Sequence, residues 1–248
     1  MINIPTSQSI RFRPINSSLA NFDNTFDTDG RYIQYVNPSL LSIQLSRVLG
    51  SIGVVKMFAV ECNGTATELT TTTEFTISDR VYTNFVINFA TFIGKKIHLK
   101  VTEAAVITHK SEWVTVELQS NYLRLNWFNS ENSFLSDYAN GLVCEMLVDA
   151  RMRKISFGGE SSVYSNQGTD VKLKETVSRI FSFECDVPDY IAEQITLAMA
   201  HDRFYINEIE FVTSKKPTTS QLGTSNMYTF TAEIKQKSVV GINTHDVG

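Results

Sequence analysis

The sequence predicts a mainly β protein: two antiparallel β-sandwich-like units, with one amphipathic helix at about residues 188–202 in the second. Three observations carry this. Runs of alternating apolar and polar residues recur along most of the chain, punctuated by turn dipeptides such as Asn63-Gly64 and Asn140-Gly141. Only one stretch has a clear helical period. The content is 42% hydrophobic with 16 Phe, enough for a large core, while 19% charged residues is below the usual level of about 25%.

Residues 1–30 are polar with scattered Phe12, Phe22 and Phe26, and read as an N-terminal arm or loosely tied edge. Asp27-Thr28-Asp29-Gly30 invites a calcium-loop reading. An EF-hand loop in that frame would start at Thr25 and need an acidic residue at Val36, so the segment reads as a turn. Residues 31–120 read as a sandwich of immunoglobulin-like size, without the Cys…Trp…Cys spacing of antibody domains. Tyr32–Val36 is one strand, stopped by Asn37-Pro38. Ser39–Val48 alternates Leu41, Ile43 and Leu45 with Ser42, Gln44 and Ser46. Val54–Glu61 runs into the Asn63-Gly64 turn, and Thr65–Ile77 is β-branched and polar. Val81–Ala90, Ile97–Thr102 and Trp113–Leu118 complete this unit, with a turn at Gly94-Lys95-Lys96.

Residues 121–240 read as a second β-rich domain. Leu123–Asn129 opens it, and Leu142–Arg153 is a single alternating strand. Gly158-Gly159 and Asn166–Asp170 bracket a strand at Val163-Tyr164, and Leu173–Cys185 is the next. The helix follows, with Ile191, Ile195, Ala198 and Met199 on one face and Leu197 at its border. Pro188 fits its first turn, and Asp186 and Asp189 are expected to accept from the free N–H groups there. After Asp202 the period changes to that of strands, with a turn or bulge at Asn207-Glu208. Residues 214–226 read as a Thr/Ser loop, Met227–Lys237 as the last strand, and 241–248 as a tail.

The net charge of −4, with no block of Lys or Arg, argues against a dedicated nucleic-acid binder. Cys62, Cys144 and Cys185 lie far apart without zinc spacing, which suits reduced, mostly buried thiols. The first residues have neither a basic nor an apolar signal region, so no signal peptide is expected, and no apolar run reaches the length of a membrane span. A Gly-rich phosphate loop, a nucleophile elbow and HExxH are missing, and His98, His109, His201 and His245 have no gathering spacing. Catalysis, cofactors and metals are therefore not expected. His201-Asp202 reads as a helix-end imidazole beside a solvated carboxylate. Glu145 with Asp149, and Glu208 with Glu210, read as solvated strand faces rather than a glycosidase pair. Arg151-Met152-Arg153-Lys154, the densest basic cluster, reads as a solvated edge that deters strand pairing, with an acidic neighbour or nucleic acid as the functional alternative. Trp127 and Tyr138 read as core or interface anchors before sugar-stacking residues.

Three segments carry a family resemblance over roughly residues 120–240. They are Trp127-Phe128-Asn129-Ser130-Glu131-Asn132-Ser133-Phe134 with Tyr138, the strand Leu142–Arg153 followed by Val163-Tyr164-Ser165-Asn166, and Pro188–Asp202 followed by Phe204-Tyr205-Ile206-Asn207. This half resembles structural virion proteins of the head-to-tail ring or tail hub of tailed bacteriophages of Bacteroidetes, the crAss-like phages among them. Relatives carry a glycine after the asparagine where this chain has Glu208. The resemblance implies a virion component, assembled in the host cytoplasm, that forms a homo-oligomeric ring with other neck or tail proteins. DNA would pass through its lumen without sequence-specific contact, and no membrane is involved. A net charge of −4 suits a lumen to which DNA should not adhere. The candidate interface residues are Trp127, Phe128, Phe134, Tyr138, Arg151 and Arg153. The alternative is a carbohydrate-binding or adhesive β-sandwich stacking sugars on Trp127, Tyr138 and Trp113.

Overall fold

The structure is a computed structural model. It describes residues 2–5, 8–14, 34–38, 40–50, 53–69, 71–118, 121–131, 136, 138, 141–166, 169–224, 227–237 and 240–242. The chain is mainly β with one α-helix among these residues, and it divides into two compact units, Met1–Val148 and Asp149–Gly248.

The first unit contains β1 (Ile2–Asn3), β2 (Phe12–Pro14), β3 (Gln34–Val36), β4 (Leu40–Val48), β5 (Val55–Glu61), β6 (Ala66–Leu69) and β7 (Thr71–Ile77). It continues with β8 (Arg80–Asn88), β9 (Lys96–Glu103), β10 (Val106–Ser111), β11 (Val114–Val116), β12 (Leu123–Phe128) and β13 (Cys144–Val148). One sheet has the order β1-β4-β8-β7. In the other, β9 pairs with β5 on one side and with β10 and β11 on the other; β6, β2 and β3 extend these, and β13 and β12 follow β3. The period of two puts Leu41, Ile43 and Leu45 of β4 and Phe85 and Ile87 of β8 into a common core with Val55, Met57 and Ala59 of β5 and Ile97, Leu99 and Val101 of β9. That shared core makes the unit sandwich-like.

Two expectations are corrected here. The described part of the N-terminal segment is not an arm: β1 pairs with β4, β2 pairs with β10, and Ile2, Ile10 and Phe12 are core residues. Beyond the short β1, the buried Gln8 side-chain amide takes the place of a strand. Its Oε1 accepts from the Gln44 N–H at 2.8 Å and its Nε2 donates to the Gln44 carbonyl. The division between units falls after Val148 rather than at 120/121, because β12 and β13 pair with each other and β13 pairs with β3. Leu142–Arg153 is accordingly two strands, split at exposed Asp149.

The second unit holds β14 (Ala150–Asn166), β15 (Thr169–Pro188), helix α1 (Asp189–Met199), β16 (Arg203–Ile206), β17 (Ile209–Thr213), β18 (Thr218–Gln221), β19 (Met227–Gln236) and β20 (Val240–Ile242). Its sheet runs β14-β15-β19-β17-β16, with β18 also on β19 and β20 also on β15. Phe183 and Cys185 of β15 stand beside Ala232 and Phe230 of β19 on the buried face, and α1 packs against these two strands. The buried residues of α1 include the predicted Ile191, Ile195, Ala198 and Met199, joined by Ala192 and Gln194.

The predicted cap is corrected. Pro188 is the N-cap residue and makes no side-chain cap hydrogen bond; Asp186 belongs to β15 and accepts instead from the Thr229 hydroxyl at 2.7 Å. Asp189 is the acidic residue in the first turn, where the helix dipole favours it. Gly158-Gly159 does not interrupt β14, because the ladder with β15 continues through both residues. A Cβ on Gly158 would lie 3.0 Å from Ile180 Cδ1, so the cross-strand neighbour accounts for its small size. The Thr/Ser loop contains β18, and the C-terminal segment enters the sheet as β20; residues 243–248 of the expected tail lie outside the described residues.

The Asn207-Glu208 turn joins β16 to β17, with φ of 48° and 70°. Two positive φ values define a type I′ turn, which favours Asn-Gly. Glutamate is strained at the second position, since its Cβ crowds the backbone in the left-handed region. Glu208→Gly is therefore expected to raise stability by about 1 kcal/mol. A thermal melt checks this, and an unchanged or lower midpoint would contradict it.

Candidate interface

In β12 the alternation sends Leu125 and Trp127 into the first unit, both fully buried, while Arg124 and Asn126 take the opposite face. On that face Glu145 of β13 accepts from Arg124 Nε at 2.7 Å and from Asn126 Nδ2 at 3.2 Å, and its own N–H donates to Ser9 Oγ at 2.8 Å. Glu145 is thus buried, which corrects its reading as part of a solvated strand face: Arg124 and Asn126 take the place of water around its carboxylate. Tyr138 is also buried, with its carbonyl accepting from the Gly141 N–H at 3.0 Å, and Phe128 is half-buried. Trp127 and Tyr138 are therefore core residues of this chain and are corrected as interface candidates: aromatic bodies this size gain most where water is fully excluded. Phe134 lies outside the described residues.

Arg151 and Arg153 are exposed on β14. Across the ladder Arg151 stands opposite Glu184 and Arg153 opposite Ser182. The register shifts between Lys154 and Ser156, a bulge centred on Ile155. Beside it Lys154 Nζ sits 3.6 Å from the Phe157 ring centroid. Ile155 is 49% exposed and Phe157 62%. The edge of β14 away from β15 pairs with no strand among the described residues. The basic cluster is on a sheet edge, as read from sequence. Its two exposed apolar neighbours were not singled out, although a Phe next to a basic run in a strand was a legible signal.

A second surface was missed altogether. Leu49 N donates to Asp79 O at 2.7 Å and Ala104 N to Val54 O at 3.2 Å, so the turns after β4, β7 and β9 gather at one end of the first unit. Val48, Leu49, Val54, Val106 and Ile107 are exposed there. Strand ends and turns far apart in sequence supply these residues, so no single segment announced the surface.

Burial pushes the Cys144 thiol up to about 12, against hydrogen bonds from Ser9. Burial, with Asp186, Asp149 and Glu184 nearby, takes Cys185 to about 12 as well. Both thiols stay protonated and inert; Cys62 is exposed. Desolvation pushes the Glu210 carboxyl up, but hydrogen bonds from Lys237 (2.6 Å) and Arg203 (3.1 Å) outweigh it and hold the group below its ordinary range. Trp113 is half-buried, edge-on to His98 at 4.5 Å and with Lys96 over its ring at 5.6 Å.

His201 lies just past α1, and its Nδ1–H donates to the Leu197 carbonyl at 2.6 Å. Burial lowers its pKa below 6.5, opposed by the Leu197 hydrogen bond and by Asp202. The unfolded chain therefore binds this proton more tightly than the folded one. The stabilising contribution is complete above 6.5 and is lost as pH falls through 6.5 towards the lower folded value. Urea midpoints across this range are expected to fall with pH, and His201→Gln to flatten part of that slope. His109, also lowered by burial, retains the rest. An identical slope in the variant would contradict the assignment.

No protein-family model matches the chain, and no curated protein matches it.

Proposed function

We propose that this chain is a structural component of a bacteriophage virion, a subunit of a ring in the neck or tail, as connector or tail hub, through which DNA passes. The carrying observation is β14: a 17-residue strand at the sheet edge with basic residues and exposed Ile155 and Phe157 beside its unpaired side. An open edge of this length is a template for another chain. The apolar turn end of the first unit is a second surface suited to a permanent contact. Identical subunits joined through unlike surfaces close into a ring when the rotation between them closes.

The sequence motifs from Trp127 to Asn207 supply the virion and ring content of this reading. The burial of Trp127 and Tyr138 removes two of the three stacking faces on which the carbohydrate-binding alternative relied. Negative-stain electron microscopy of the purified protein tests the proposal directly, paired with antibody labelling of phage particles. Rings in the first and label at the neck or tail in the second are expected. A monomer at every concentration, with unlabelled particles, would overturn it.

A further inference from the structure

We infer that the open edge of β14 pairs with β7 of a second copy of this chain, so that a β-sheet continues from one subunit into the next. This contact rests on the ring reading and specifies the two surfaces that would meet.

Both strands terminate their sheets among the described residues: β14 is last in its sheet, and β7 is last in β1-β4-β8-β7. Their charges are complementary. From Ala150 to Gly159 the chain carries Arg151, Arg153 and Lys154 and no acidic residue. β7 carries Glu74 as its one charged residue, and Asp79 follows in the turn to β8, with no Lys or Arg on the strand. Glu74 of β7 and Glu68 of the adjoining β6 bind Arg47 and Lys56 within the chain, but their side chains are 51% and 52% exposed. Each carboxylate so keeps an open side; the Lys56–Glu68 pair is exposed and a weak competitor, while Glu74 also keeps its bonds to the largely buried Arg47 and to Thr83 through Oε1.

Apolar surface matches too. β14 offers Ile155 and Phe157, and β7 offers exposed Ile77 beside Phe75, which stacks on Tyr82 at 5.4 Å. Backbone pairing along the edge would supply affinity, and the opposed charges would select the partner edge. Pairing β14 with its own copy is less favourable. The three cations of each strand would meet a partner whose only acidic residue is Glu160. Like charges opposed across a ladder are destabilising. The pairing of unlike edges leaves one copy with its β7 edge free and the other with its β14 edge free, which lets the assembly propagate and close.

The test is zero-length carbodiimide cross-linking of assembled protein made from isotope-labelled and unlabelled chains, read by peptide mass spectrometry. A mixed-isotope link between Lys154 and Glu74 or Glu68 is expected. Assembled rings with inter-chain links only elsewhere, or with a Lys154–Glu160 link between chains, would overturn this contact and leave the ring reading intact. Absence of any assembly would remove both. As a second measurement, Arg153→Glu should weaken assembly about tenfold while the melting temperature of the subunit is unchanged. Unaltered assembly would overturn the contact.

Discussion

Removing residues 1–14 is expected to unfold the first unit rather than to shorten an arm. Ile2, Ile10 and Phe12 are 5%, 0% and 7% exposed, and each such side chain contributes about 1.5–3 kcal/mol when fully buried. Together they approach the roughly 5–15 kcal/mol that holds a typical domain folded. Polar losses add to this. Without Gln8 the Gln44 N–H and carbonyl lose their partner, Glu145 N loses Ser9 Oγ, and Gln34 Nε2 loses the Ser9 carbonyl at 2.8 Å. Each group left unpaired in the interior costs about 1–3 kcal/mol. The measurement is circular dichroism and limited proteolysis of the truncated chain. A cooperative melt at the full-length temperature would show the segment to be an arm after all. Gln8→Ala is the graded version, expected to destabilise by about 2 kcal/mol with the fold retained.

Trp127→Ala is the second large effect. With its side chain at 0% exposure between Leu125 and the Cys144 register position, the substitution removes the largest fully buried side chain and leaves a cavity. A loss of about 3–5 kcal/mol is expected, read as a lower urea midpoint. Trp113 is the other tryptophan, so fluorescence remains available as a probe. Had Trp127 been a stacking or interface residue, the variant would bind or assemble poorly at unchanged stability. That outcome would reverse its assignment to the core. Trp127→Phe should recover much of the loss, because volume matters more here than the indole edge.

Local pattern accounts for what could be read in advance. Leu41, Ile43 and Leu45 alternate because one face of β4 meets the core, and that is visible residue by residue. Ile191, Ile195, Ala198 and Met199 recur at helical spacing for the same reason. Asn63-Gly64 announced a hairpin because Gly64 must adopt a φ of 85°. The basic cluster at Arg151–Lys154 was recognisable as an edge from charge alone. The candidate surface was less legible. Alternation put Trp127 on the apolar face of β12 with Leu125, but only the partners of β12 decide whether that face meets this chain's own core or another surface.

The chain by itself determined its class, the one α-helix among its described residues and most of its turns, since these depend on residues within a few positions of one another. Tertiary structure decided the rest. It placed Ile10 and Phe12 in the core, moved the division between units to Val148, carried β14 through two glycines, and left that strand with an open side. Each of those outcomes depends on which distant strand lies alongside. Pairing energy is spread over backbone groups that every residue shares, so the choice of neighbour leaves little mark on the sequence.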